Sequence, residues 1–124
     1  MKATVYSIVE SPGHPNFSAL YARLGLDEVR LTSQRNAIQA VKKQPPDFIV
    51  AEFFYGFGNN YAGVNISNLD VLLYTLQKYA PDTRVIVLVE KSQRQHVDKL
   101  NDILPLHAVL VYPVAERQLE ALLR

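Results

Sequence analysis

The chain has 124 residues and a mass of 14.0 kDa, a length that suits one domain with a real hydrophobic core. It contains no cysteine, which excludes disulfides and thiolate metal sites. Thirteen Lys and Arg against 12 Asp and Glu leave a net charge of +1, so no overall field draws the chain to nucleic acid or anionic lipid; 48% hydrophobic residues exclude the disordered and collagen-like classes.

Met1 to Val9 lacks the small-residue cleavage region of a signal peptide, and Val85 to Val89 falls far short of the roughly 20 apolar residues that span a bilayer. A soluble, cytoplasmic protein is expected. Thr4 to Val9 is β-branched and aromatic enough for a first strand, broken by Ser11-Pro12-Gly13-His14-Pro15. Asn16 caps a short helix with Phe17, Leu20, Tyr21 and Leu24 at helical spacing, and Gly25 stops it. Glu28 to Thr32 alternates like an edge strand. Ser33 caps a helix over Gln34 to Gln44 that buries Ala37, Ile38 and Val41, and Pro45-Pro46 ends it.

Phe48 to Ala51 is a continuous apolar run, the pattern of a parallel strand covered on both faces. Glu52 to Asn68 has no period, after which Leu69, Leu72, Leu73 and Leu76 mark a third helix. Val85 to Val89 is a second buried strand; Val97, Leu100, Ile103 and Leu104 stripe a fourth helix ended by Pro105. Ala108 to Val111 is the fifth strand, and Leu119, Leu122 and Leu123 mark a helix running to Arg124. Five βα units with strands too apolar for one-sided burial predict a doubly wound α/β domain: a five-stranded parallel sheet of order 2-1-3-4-5 with helices on both faces. The crevice of such a sheet lies at the carboxyl ends of strands 1 and 3, here Val9-Glu10 and Ala51-Glu52.

With the strand ends placed, the chain resembles the receiver domain of bacterial response regulators, the chemotaxis-regulator-like family with a flavodoxin-like fold. The resemblance rests on Pro46-Asp47-Phe48-Ile49-Val50-Ala51-Glu52, which is similar to the family's Pro-Asp, four apolar residues and phosphoacceptor aspartate. Asn36 to Val41, Asp82 to Leu88, Tyr112-Pro113-Val114 and Leu119 to Leu123 are similar to its second helix, fourth strand, fifth-strand exit and last helix. The family's chemistry needs an aspartate nucleophile, an acidic pair for Mg²⁺, a hydroxyl after strand 4 and a lysine after strand 5, to neutralise and bind the transferring phosphoryl group. The resemblance puts Glu52 at the nucleophile, Glu10 alone at the acidic pair, Val89 at the hydroxyl and Tyr112 at the lysine.

All four positions are changed, which implies a pseudo-receiver with no enzymatic activity, no cofactor and no metal. Glu52 either imitates a phosphorylated aspartate or is a solvated loop-entry residue, paired with a cation such as Lys91 at most; the second reading is favoured because Val89 has no hydroxyl to read the charge. Tyr112 is either an aromatic anchor for protein contact at the edge of strands 4 and 5 or local packing over the emptied site.

The segment after strand 3 holds five of the 12 Phe and Tyr residues, Phe53, Phe54, Tyr55, Phe57 and Tyr61, and is longer than the usual receiver connection. Phe54, Tyr55, Phe57, Asn59, Asn60 and Tyr61 form a candidate binding loop, whereas Phe53 continues the strand and is expected to fill core. Gly56-Phe57-Gly58 lacks the third glycine and the place of a dinucleotide loop; His14, His96 and His107 lack metal-ligand spacing and read as surface or strand-end residues.

The expectation is a phosphorylation-independent signal-transduction module acting by protein–protein interaction, its partner a protein of a bacterial signalling pathway. A homodimer through strand 5 and its flanking helices fits the same reading; nucleic acid and membrane do not. The five units use the chain from the first strand to Arg124, so one receiver-like domain, 1–124, without an output domain is expected. The alternative is a small-ligand sensor using the crevice of Glu10 and Glu52 under the aromatic loop 53–63. A small-molecule enzyme ranks last, having no nucleophile or base constellation.

Overall fold

The computed structural model describes residues 3–10, 16–55 and 67–123. Strands β1 (Thr4–Ile8), β2 (Asp27–Leu31), β3 (Phe48–Glu52), β4 (Arg84–Val89) and β5 (Ala108–Val111) pair in parallel in the order β2-β1-β3-β4-β5. That is the expected topology. Helices α1 (Ser18–Arg23), α2 (Gln34–Lys43), α3 (Asp70–Tyr79), α4 (Arg94–Val97) and α5 (Glu116–Leu123) follow the strands in turn.

The side chains of the central strands alternate between two cores, because successive residues of a strand point to opposite faces. Tyr6, Ile8, Ile49, Ala51, Val85, Val87 and Val89 meet Ala37 and Val41 of α2, the leucines of α3, and Val97 and Leu100. Val5, Phe48, Val50, Ile86 and Leu88 meet Leu20 and Tyr21 of α1 and Leu119 and Leu123 of α5. Burial on both faces is why β3 and β4 read as unbroken apolar runs.

The caps are largely where the polar residues promise them. Asn36 N donates to Ser33 Oγ at 3.1 Å to start α2; at α1 the N-cap position falls to Phe17 rather than Asn16, and Asn16 Oδ1, one residue earlier, accepts from Ser18 N at 2.9 Å. Gly25 takes a left-handed φ of 76° after α1. The expected fourth helix differs: α4 is a single α turn between 3-10 turns at Lys91–Gln93 and Asp98–Asp102. Its buried residues Val97, Leu100 and Ile103 recur every three positions, the spacing at which a 3-10 turn keeps side chains on one line. β1 stops at Ile8 and β2 at Leu31, one residue short of the sequence boundaries. Among the described residues no helix is long and apolar enough to cross a membrane.

Candidate functional site

Parallel register brings the carboxyl ends of the strands level. Ile8 pairs with Ala51, Glu52 with Leu88, and Val89 with Val111. The ladder runs on past the strand ends, as Phe53 N donates to Leu88 O at 2.9 Å and Tyr112 N to Val89 O at 3.0 Å. Glu10, Glu52, Val89 and Tyr112 therefore gather at the carboxyl end of the sheet.

Glu52 is not the solvated loop-entry residue its sequence position suggests. It is still within β3, only 3% exposed, and its Oε2 accepts a 2.9 Å hydrogen bond from Tyr112 Oη. Burial, then the hydrogen bond and charge of Glu52, hold the Tyr112 phenol well above its ordinary range, with Glu90 adding to the same effect. The phenol is thus a proton donor at any ordinary pH. Its ring packs on the α1–α5 side of the sheet. Val89 is fully buried in the opposite core and brings no polar atom, so the hydroxyl that meets Glu52 comes from position 112 instead.

Glu10 is half-buried, and its Oε1 accepts from Gln34 Nε2 at 2.7 Å and from Asn68 Nδ2 at 2.9 Å. Gln34 is the first residue of α2, and Asn68 lies just before α3. Asn68 does more than one job. Nδ2 also donates to Glu52 O at 2.8 Å, while Oδ1 accepts from Phe54 N at 2.7 Å. One carboxamide ties the ends of β1 and β3 to the start of the following segment. Behind it, Ser67 N and Oγ both donate to the buried Asp70 Oδ1 at 2.8 Å, which fixes the entry into α3. Neither Gln34 nor Asn68 stands out in the sequence as a site residue, since a lone carboxamide has no spacing signature.

The receiver family's chemistry calls for Mg²⁺ at these strand ends, and the described residues there do not fit it. Glu10 Oε1 and Glu52 Oε2 already accept neutral N–H and O–H donors, which aim positive hydrogens where a cation would need free oxygen. Among the described residues no three His, Asp or Glu side chains cluster as metal ligands.

Of the candidate binding loop, Phe54 is half-buried and Tyr55 is 48% exposed, while Phe57, Asn59, Asn60 and Tyr61 lie outside the described residues. Phe53 is buried in the core, as its continuation of the strand suggests. Tyr55 N donates to Gln93 Oε1 at 3.1 Å, and the Tyr55 ring stacks on His96 with centroids 3.7 Å apart and planes 16° apart. The start of the loop is thereby pinned to the segment after β4, a role for His96 and Gln93 that sequence spacing does not show. A cavity of about 540 Å³ lies at the opposite end of the sheet, between the amino ends of β3 and β4, and not at the Glu10 and Glu52 crevice.

No family model and no curated protein matches the sequence. Solved structures match almost end to end. NtrX from Brucella abortus superposes with a TM-score of 0.76 at 12% identity over 99% of this chain, which spans 26% of NtrX. The receiver domain of a sensor histidine kinase from Pseudomonas aeruginosa, solved with magnesium in its active-site cleft, gives 0.73 at 11% identity over 99% of this chain and 95% of that one. A DNA-binding response regulator of the LuxR family from Staphylococcus aureus gives 0.71 at 10% identity over 98% and 95%. The fold is that of receiver domains.

Proposed function

We propose that this receiver-fold chain is a signal-transduction module that works without phosphorylation, by contact with a protein partner of a bacterial signalling pathway. The observation that carries the proposal is the Tyr112 to Glu52 hydrogen bond. Phosphoryl transfer is catalysed by positioning and by positive charge on the transferring group. Among the described residues, the donors seen on Glu10 and on the Glu52 carboxylate are a phenol and two carboxamides, all neutral. They satisfy carboxylates but leave a phosphoryl group uncompensated. The nucleophile position is also turned inward and engaged.

Glu52 supplies a constant negative charge where a receiver would acquire one, and Tyr112 Oη reads it in place of a switch hydroxyl. In this reading the domain is held in one signalling state, and recognition falls to the edge strand β5 with α5, as a partner site or a homodimer contact, or to the aromatic loop. The pathway setting implies the cytoplasm.

The test is incubation with acetyl phosphate and Mg²⁺ beside a phosphorylatable receiver, read by intact mass. The expected result is no phosphoryl adduct on this chain. A stoichiometric acyl phosphate on Glu52 overturns the proposal.

A further inference from the structure

α2 and α3 lie on the same face of the sheet and turn Ala37, Val41, Leu72, Leu73 and Leu76 into one core. Their outward sides differ from the rest of the surface. Three of the five exposed large apolar side chains among the described residues belong to α3: Val71 at 50%, Tyr74 at 55% and Tyr79 at 46%. Val71, Tyr74 and Lys78 follow helical spacing and form one ridge opposite the buried leucines.

The charge of this face is one-sided. Arg35, Lys42, Lys43 and Lys78 are exposed, α2 contains no acidic residue, and the one acid of α3, Asp70, is buried against Ser67. Lys42 and Lys78, from different helices, place their ammonium groups 5.7 and 5.4 Å from the centroid of the Tyr79 ring. Among the described residues no carboxylate pairs with any of the four cations, whereas Arg23 bonds Glu116 and Glu120 between α1 and α5, and Arg94 of α4 bonds Asp98 at the start of the next 3-10 turn. The helix dipoles favour lysines in these last turns. They do not account for a face without exposed acid in a chain whose net charge is only +1, nor for the apolar ridge beside it.

We propose that the outer face of α2 and α3 is a docking surface for an acidic amphipathic protein segment, with carboxylates over Lys42, Lys43 and Lys78 and apolar side chains along Val71 and Tyr74. Two like charges held at one ring repel, and an anionic partner relieves that cost. Tyr79 also walls the cavity of about 540 Å³, where Pro45, Pro46 and Phe48 offer an apolar socket and Asp47 and Asp82 share the rim with Arg84. An apolar anchor flanked by acids is the pattern that fits. A nucleic acid fits less well, since its affinity rests on many phosphate contacts and the centre of this ridge is uncharged. The surface shares no residue with the Glu10 and Glu52 crevice or with β5, so this proposal stands apart from the reading of that site.

The test uses the full chain labelled with ¹⁵N and a synthetic helical peptide of Glu, Leu and Ala with the leucines at helical spacing. Amide shifts should concentrate in residues 35–43 and 71–79. Lys42→Glu with Lys78→Glu should weaken binding by about tenfold or more, Tyr74→Ala should weaken it separately, and the same peptide with Lys for Glu should not bind. No shift up to millimolar peptide, shifts centred on β5 and α5, or binding indifferent to the charge reversal overturns the proposal. So does a single-stranded oligonucleotide that shifts the same amides at lower concentration than the peptide.

Discussion

Tyr112 Oη donates to Glu52 Oε2 across 2.9 Å, joining residues 60 positions apart at the ends of two strands that are not neighbours in the sheet. The carboxylate is buried, so the bond has an unequal value: a hydrogen bond to a charged group contributes about 1.5–3 kcal/mol, and its loss strands a desolvated charge. Tyr112→Phe should destabilise the fold by about that much in urea unfolding. Glu52→Gln, which keeps an acceptor, should cost less, and a double-mutant cycle between the two should show a coupling of about 1–2 kcal/mol.

The same bond predicts alkaline behaviour. The folded state holds the Tyr112 phenol protonated, and burial raises Tyr6 and Tyr21 as well. A raised phenol contributes stability that is complete below the ordinary value of about 10 and is lost as pH climbs above it, because the unfolded chain releases its proton first. Stability should therefore fall above about pH 10, and Tyr112→Phe should flatten the decline by up to about 1.4 kcal/mol per pH unit. Unfolding free energies at rising pH measure the slope. In the 295 nm titration of the folded protein the variant should lose one late-ionising tyrosine and leave the early ones unchanged.

The sheet was readable because β3 and β4 are buried on both sides, and runs of consecutive apolar residues alternating with helical patterns are the mark of parallel strands. The site was readable only as positions. Strand ends locate Glu10, Glu52, Val89 and Tyr112, but a glutamate after four apolar residues looks like the first residue of a loop whether or not it is buried. What engages it, the reach of Tyr112 from just past β5, is a long-range contact with no local trace. Asn68 and Gln34 are invisible for the same reason. The split fourth helix was misread because Val97, Leu100 and Ile103 satisfy an α pattern and a 3-10 pattern alike.

Asn68 holds three groups at once, Glu10 Oε1, Glu52 O and Phe54 N. Asn68→Ala should cost about 1–3 kcal/mol, the range for leaving part-buried polar groups without their partners. Asn68→Asp keeps the acceptor for Phe54 N but sets a second carboxylate beside Glu10, and like charges disfavour each other's ionised form. At neutral pH the aspartate variant should be less stable than the alanine variant. Protonation removes the repulsion, so the order should reverse as pH falls to about 4. Thermal melts at the two pH values decide it, and an aspartate variant that is the more stable at neutral pH would show that Asn68 is not the donor to Glu10.

Tyr55 links the segment after β3 to the one after β4 by two separable contacts, a ring stack on His96 and a backbone bond to Gln93. The stack is worth about 0.5–1.5 kcal/mol beyond burial, and it holds a tyrosine that is otherwise nearly half exposed. His96→Ala should therefore loosen residues 53–55 locally while leaving the core of β3 and β4 intact. In hydrogen exchange the Tyr55 amide should exchange about two- to twelvefold faster, the factor that this energy implies. Gln93→Ala should speed it further, because the amide loses its acceptor as well. Exchange at Val50 and Val87, deep in the sheet, should not change. If both variants accelerate the whole sheet equally, the loop is part of one cooperative unit with the core; acceleration confined to 53–55 marks the Tyr55 contacts as a local clasp between the two segments that border the Glu52 and Tyr112 pair.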